Sequence, residues 1–132
     1  MRSEGGHERK AILDAVVRVV QEMRQFDPKM EMGQFLVYLL VAENPGIKMT
    51  DLVSATGLSR SAVSRNVLAL SKETYREDGG KKLPGHDLVT ALSDPFDARA
   101  KVVAPTRRGE WLADRIIDAI KRGVKIYGEK AG

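Results

Sequence analysis

The chain of 132 residues contains no cysteine, which excludes disulfide bonds, thiolate metal sites and thiol-based redox sensing. Histidine is also scarce, because only His7 and His86 occur, and both lie in segments typical of flexible chain. The glycines of "EDGGKK" lack the strand-to-helix context of a phosphate-binding loop. We therefore expect no enzymatic activity, no catalytic residues, no metal site and no cofactor.

Long hydrophobic runs are absent as well. The longest one, Phe35 to Ala42, is far too short to span a bilayer, and the opening "MRSEGGHERK" lacks the apolar core of a signal peptide. We therefore expect a cytoplasmic protein with no membrane partner. The length fits one domain, so we expect a single domain over residues 1–132.

The net charge of +4 is modest, but it is unevenly distributed along the chain. Residues 58–108 carry 10 basic and 6 acidic groups, whereas residues 1–57 carry 7 basic and 8 acidic groups. A localised positive field is typical of a polyanion-binding surface. On charge alone, an ordinary solvated surface with chance asymmetry explains the pattern equally well.

Hydrophobic periodicity predicts mainly helices with a small β element. Helical spacing covers residues 7–26, 31–44, 50–55, 59–72 and 106–127, and N-caps are predicted at Thr50, Ser59 and Thr106. Strand patterns cover residues 86–92 and 98–104, which are joined by the turn "SDPFD", and "IKM" is a candidate for a very short strand. The polar stretch 73–86 is predicted to be a disordered or mobile loop, and a phosphate-contacting loop and a partner-binding loop are the alternatives.

Two short helices around a tight glycine turn, followed by two strands, predict a winged helix-turn-helix in an α+β fold that is mainly α. On a helical wheel, Val63, Val67 and Leu70 of the second short helix cluster on one side, with Arg65 on the opposite side. No acidic residue occurs from position 55 to position 72, as expected for a helix in a phosphate-lined groove. Asn66 lies at the edge of the apolar side.

The chain resembles the MarR family of winged-helix transcription regulators in two segments. "MTDLVSATGLSRSAVSRNVLAL" resembles the family's helix-turn-helix, and "DARAKVVAPTRRG" resembles its wing. In the wing, Asp97, Arg99, Thr106 and Gly109 keep the Asp-x-Arg and Thr-x-x-Gly spacing of the family. The resemblance covers roughly residues 12–120, although the stretch 73–86 is longer than usual for the family.

This resemblance implies a homodimeric transcription regulator that binds a palindromic site in double-stranded DNA and is expected to be a repressor. It also implies that the protein binds a small-molecule effector. Residues 46–105 would bind DNA, with Arg99 in the minor groove, and helices 7–26 and 106–127 would dimerise. The implied DNA-binding residues are Thr50, Ser59, Arg60, Ser61, Ser64, Arg65, Lys72, Asp97, Arg99 and Lys101. The implied dimer-interface residues are Ile12, Val16, Val17, Val20, Ile116, Ile117, Ile120 and Val124.

Two alternatives remain open from the residues alone. A winged helix also serves replication initiators and protein-docking modules, because fold does not fix function. Asp94 and Asp97 are candidates for a cation site, although they lack the ligand spacing and number of a calcium loop. Phe35, Tyr38 and Trp111 are expected to be core residues rather than the lining of an effector pocket.

Overall fold

The computed structural model describes the backbone of residues 3–131 and the side chains of residues 6–72, 79–81 and 84–123. Its helices are α1 (Ser3–Arg24), α2 (Met32–Glu43), α3 (Met49–Thr56), α4 (Arg60–Leu70) and α5 (Arg107–Ala131). Its strands are β1 (Ile47–Lys48), β2 (Glu73–Asp78), β3 (Lys81–Pro84), β4 (Val89–Asp94) and β5 (Asp97–Pro105). The predicted α+β fold, mainly helical with a small wing, is confirmed.

The chain divides into two compact units. One contains residues 30–111, and the other combines residues 1–29 with residues 112–132. Helix α2 is central to the core of the first unit because it is apolar on most sides, and its Val37, Tyr38 and Val41 are fully buried. The buried side chains that complete this core come from α3, α4, the chain before β4, and the sheet: Leu52, Val63, Val67, Leu70, Leu88, Val89 and Val103.

The three-stranded antiparallel sheet has the order β1–β5–β4. Val103 of β5 is paired with Ile47 of β1 on one side and with Ala91 of β4 on the other. The two-residue strand β1, for which "IKM" was a candidate, therefore connects the start of α3 to the return strand of the wing. This pairing brings residues more than fifty positions apart in sequence to one edge of the unit.

The end of α4 is joined to the chain before β4 by backbone hydrogen bonds. The amide of Gly85 donates to the carbonyl of Lys72 at 3.1 Å, and the amide of Leu88 donates to the carbonyl of Leu70 at 2.7 Å. A Cβ atom on Gly85 would lie 1.6 Å from the carbonyl oxygen of Ser71. Only glycine permits this close approach, which fixes where the wing begins relative to α4.

In the second unit, α1 and the later part of α5 run antiparallel. Ala15 faces Gly123, since a Cβ atom on that glycine would lie 2.9 Å from the Ala15 Cβ. Further along, the guanidinium of Arg115 donates to both carboxylate oxygens of Glu22, at 2.6 and 2.8 Å. The Arg115 hydrogen bonds hold the pKa of the Glu22 carboxyl below its usual value.

Several predictions about local structure are wrong. The stretch 73–86 is not a loop throughout, because β2 and β3 form an antiparallel hairpin. Gly79 and Gly80 both have positive φ, and this pair forms the tight turn that a two-residue hairpin requires. Thr50 is not an N-cap, because α3 begins at Met49 with Lys48 in the cap position. Trp111 is not a core residue, since it is 50% exposed.

Candidate nucleic-acid interface

The helix-turn-helix is built by a glycine-centred turn between α3 and α4. Gly57 ends α3 in the left-handed conformation, with φ of 72°, and its amide donates to the carbonyl of Val53 at 3.0 Å. The hydroxyl of Thr56 donates to the carbonyl of Leu52 at 2.7 Å and accepts from the amide of Leu58 at 3.1 Å. These bonds satisfy backbone groups at the turn and set the direction in which α4 leaves it.

Helix α4 begins with the predicted cap. The Ser59 hydroxyl accepts a hydrogen bond from the amide of Ala62 at 3.1 Å and lies 3.3 Å from the hydroxyl of Ser61. No acidic residue occurs in the first turn of α4. The positive end of the helix dipole is therefore not neutralised by a side chain of the first turn, which favours a phosphate at this end.

The two predicted faces of α4 are present. Val63, Val67 and Leu70 are buried, which fixes the rotation of the helix about its axis. The side chains on the other face are exposed: Arg60, Ser61, Ser64, Arg65 and Leu68, with Lys72 just beyond the helix. Asn66 is half-buried beside α2, where its amide nitrogen lies 3.4 Å from the position of a Cβ atom on Gly33.

The tip of the wing is a turn held by two aspartates. Asp94 is 8% exposed, and its carboxylate accepts a hydrogen bond from the amide of Phe96 at 2.9 Å. The Asp97 carboxylate accepts from the backbone amide of Arg99 at 3.1 Å and lies 3.5 Å from the Nε of the same residue. Both carboxylates are thus structural groups of the turn. Among the described residues, no cluster of three or more histidine, aspartate or glutamate residues forms a metal site.

An open groove of about 320 Å³ lies between α3, α4 and β5. Five of the predicted DNA-binding residues line this groove: Thr50, Arg60, Ser64, Arg99 and Lys101. The remaining predicted residues, Ser59, Ser61, Arg65, Lys72 and Asp97, do not line it. The floor is apolar and includes Met49, Val53, Val63 and Ala100.

Lys48 also lines the groove, and sequence reasoning missed it. Its strand β1 pairs with β5, with Lys48 opposite Val102. Four cationic side chains therefore line the groove, and none of its lining residues is acidic: Lys48, Arg60, Arg99 and Lys101. The sequence did contain a signal for Lys48, because in "IKM" a lysine stands between two apolar residues. Since successive side chains of a strand point to opposite faces, this alternation indicates that the lysine faces away from the core.

The residues predicted to form a dimer interface are on α1 and α5. Six of them are large apolar side chains with exposed fractions between 42% and 53%: Ile12, Val16, Val17, Val20, Ile117 and Ile120. Leu13, which was not predicted, belongs to the same exposed stripe of α1. Ile116 is buried within its own chain, and the side chain of Val124 lies outside the described residues.

Over the described residues, no helix has the length and apolar character needed to cross a membrane.

No protein-family model and no curated protein sequence matches the chain. Solved structures do match it in fold. The transcriptional regulator Tm0710 from Thermotoga maritima has a TM-score of 0.69 at 19% identity, over 94% of this chain and 77% of that one. MepR from S. aureus, solved as a DNA complex, has a TM-score of 0.64 at 18% identity, over 86% and 82% of the two chains.

A crystal structure of MarR itself matches with a TM-score of 0.54 at 17% identity, over 87% of this chain and 79% of that one. The chain therefore has the winged-helix fold of the MarR-type regulators.

Proposed function

We propose that the protein is a sequence-specific double-stranded DNA-binding transcription regulator that acts as a homodimer. The observation that carries this proposal is the basic groove, where Arg60 of α4 and Arg99 and Lys101 of the wing line one surface and no lining residue is acidic. A duplex presents a phosphate backbone beside each groove, so such a surface matches it in charge. The solved MepR–DNA complex, which has the same fold, supports this assignment.

Helix α4 is the proposed reading element for the major groove, which is wide enough to admit a helix. Arg65 is exposed on its outer face and is the candidate for a bidentate contact with guanine. Ser61 and Ser64 lie near the helix start, where hydroxyls bond base edges or phosphates. Phosphate contacts are assigned to the residues around this helix: Lys48, Thr50, Ser59, Arg60, Lys72 and Lys101.

Arg99 is the proposed minor-groove residue of the wing. Its side chain is 94% exposed, while its backbone amide is bound by the Asp97 carboxylate. The aspartate thus orients the tip while the guanidinium extends outward. Arginine is attracted to the narrow minor groove of A·T-rich DNA, so we expect the flanks of the binding site to be A·T-rich.

A second copy of the chain is the proposed cover for the exposed apolar stripe. Large apolar side chains are exposed along α1 and again on α5, and a surface rich in such side chains marks an interaction site. Because two-fold interfaces use the same surface on both partners, the DNA site of such a dimer is palindromic.

Val17→Asp should convert the dimer to monomer or aggregate on sizing chromatography. Gln25→Asp, at an exposed polar position just after the end of α1, should leave the profile unchanged. An unaltered profile for Val17→Asp would contradict the assigned interface.

Selection of binding sites from random duplex DNA tests the main proposal. We expect a two-fold symmetric site whose half-sites are about one helical turn apart. Failure to enrich any sequence would reject sequence-specific binding.

Footprinting of the promoter of its own gene then separates transcriptional regulation from replication or protein docking. Protection of a palindrome at that promoter, with a rise in transcript when the gene is deleted, would support the repressor that we propose.

A small-molecule effector is part of the proposal because related folds bind one. NadR was solved in complex with 4-hydroxyphenylacetate, and PcaV with its natural ligand. A series of aromatic carboxylates should include compounds that raise the melting temperature and weaken DNA binding. If no compound of the series shifts the melting temperature, this part of the proposal fails.

A further inference from the structure

Phe96 has an unusual position for a large apolar side chain. It is 97% exposed at the tip of the wing, between the turn-forming Asp94 and the orienting Asp97. Burial of a phenyl ring stabilises a protein, whereas an exposed ring contributes no such stabilisation. In the isolated chain the exposed ring of Phe96 therefore does not stabilise the fold. This suggests that a binding partner covers the ring when it contacts the wing.

The turn that carries Phe96 is held in one conformation. The carboxylate of Asp94 is buried and binds the Phe96 amide at 2.9 Å. Asp94 is paired with Asp97 across the hairpin, so Pro95 and Phe96 are the two residues at its end. Proline has a fixed φ, which further limits the turn. The ring is thus presented on a preorganised support rather than on a loose loop.

The surroundings of Phe96 identify the partner. Arg99, three residues further on, is 94% exposed, and Lys101 on the same strand is exposed as well. Both cations line the groove beside α4. An apolar ring adjacent to exposed cations, on the edge of a basic groove, is complementary to a duplex, in which charged phosphates flank stacked apolar bases.

We propose that Phe96 is an apolar wedge that enters the minor groove beside Arg99 and partly unstacks one base step in each flank of the site. This inference rests on the proposed DNA-binding function and adds a specificity determinant to it. Wedges of this type kink the duplex, and pyrimidine–purine steps such as TA and CA/TG unstack most readily. The protein should therefore prefer such a step at a fixed distance from the bases that α4 reads.

The experiment uses the full chain and the duplex obtained by site selection, with 2-aminopurine placed at successive flank positions. Wild-type protein should raise the fluorescence at one step in each flank, since unstacking relieves the quenching of the probe. Phe96→Ala should abolish that rise and weaken binding by about tenfold, while Phe96→Leu, which keeps an apolar wedge, should retain most of both. Met32→Ala, which removes another highly exposed apolar side chain, at the start of α2 rather than in the wing, is the matched control.

The results of this experiment distinguish failure of the wedge proposal from failure of the proposed DNA-binding function. Because Phe96 is exposed, the melting temperatures of its variants should equal that of the wild type. If the wild type binds the duplex without any fluorescence rise, or if Phe96→Ala binds with unchanged affinity and flank preference, the wedge is rejected and the DNA-binding function stands. If the wild type binds no duplex at all, both proposals are rejected.

Discussion

Replacing Lys48 with alanine removes one of the four cations that line the groove between α3, α4 and the wing. Lys48 is exposed, and it contributes no buried side chain to the core. We therefore expect Lys48→Ala to fold normally and to bind DNA more weakly. Since a lysine acts on phosphate as a point charge, the loss should be similar for all DNA sequences.

The magnitude follows from counterion release. Each phosphate contact contributes about −0.9 to the slope of log K against log salt concentration, so losing one contact per protomer changes the slope of a dimer by about 1.8. Between about 50 and 200 mM salt, the ratio of wild-type to variant affinity should therefore shrink by about tenfold.

Fluorescence anisotropy with a labelled duplex at several salt concentrations measures this slope directly. Lys29→Ala is the matched control, because Lys29 is exposed in the turn after α1 and does not line the groove. Its salt dependence should equal that of the wild type. If the plots for Lys48→Ala and wild type are parallel, Lys48 contacts no phosphate, and the groove is not the phosphate-binding surface that we assign.

Three further predictions concern stability and pH. Gly85→Ala should lower the free energy of unfolding by about 3 kcal/mol or more, as measured by urea denaturation, because the new Cβ atom would collide with the backbone of Ser71. Tyr38→Phe should lower it by about 1 kcal/mol, since the buried hydroxyl donates to the carbonyl of Gly109 at 2.5 Å. The pKa of Glu22 is lowered in the folded chain, so its ion pair with Arg115 stabilises the fold fully above the ordinary glutamate pKa of 4.5. This stabilisation is lost as the pH falls through the lower folded value. Between about pH 6 and pH 3, the melting temperature of Glu22→Gln should therefore decline less steeply than that of the wild type.

Two of these predictions have a matched control variant. Gly6→Ala should not destabilise the chain, because a Cβ atom on that helical glycine meets nothing within 4 Å. Glu43→Gln, at an exposed carboxylate at the end of α2, should leave the acid profile of the wild type unchanged. Equal stability of Gly85→Ala and Gly6→Ala, no loss in Tyr38→Phe, or identical acid profiles for Glu22→Gln and wild type would each refute the corresponding reasoning.

Local physics explains which elements could be predicted from the sequence. Ser59 caps α4 as expected, because a serine before an amphipathic run satisfies a free amide of the first turn. Thr106 caps α5 in the same way, accepting from the amide of Gly109 at 3.0 Å. The hairpin at residues 73–84 was not predicted, because its strands are polar and lack the apolar alternation by which strands are recognised.

The sequence by itself determined the order of the helices and of the wing strands, the two faces of α4 and the turn at the wing tip, since these depend on helical period and on contacts between near neighbours. Only the tertiary structure decided that Lys48 joins Arg60 and Arg99 around one groove. These residues come together because β1 pairs with β5. The local sequence around β1 does not specify which distant strand will form hydrogen bonds with it. The exposure of Phe96 was decided in the same way, because the number of neighbours around a side chain is a property of the whole fold.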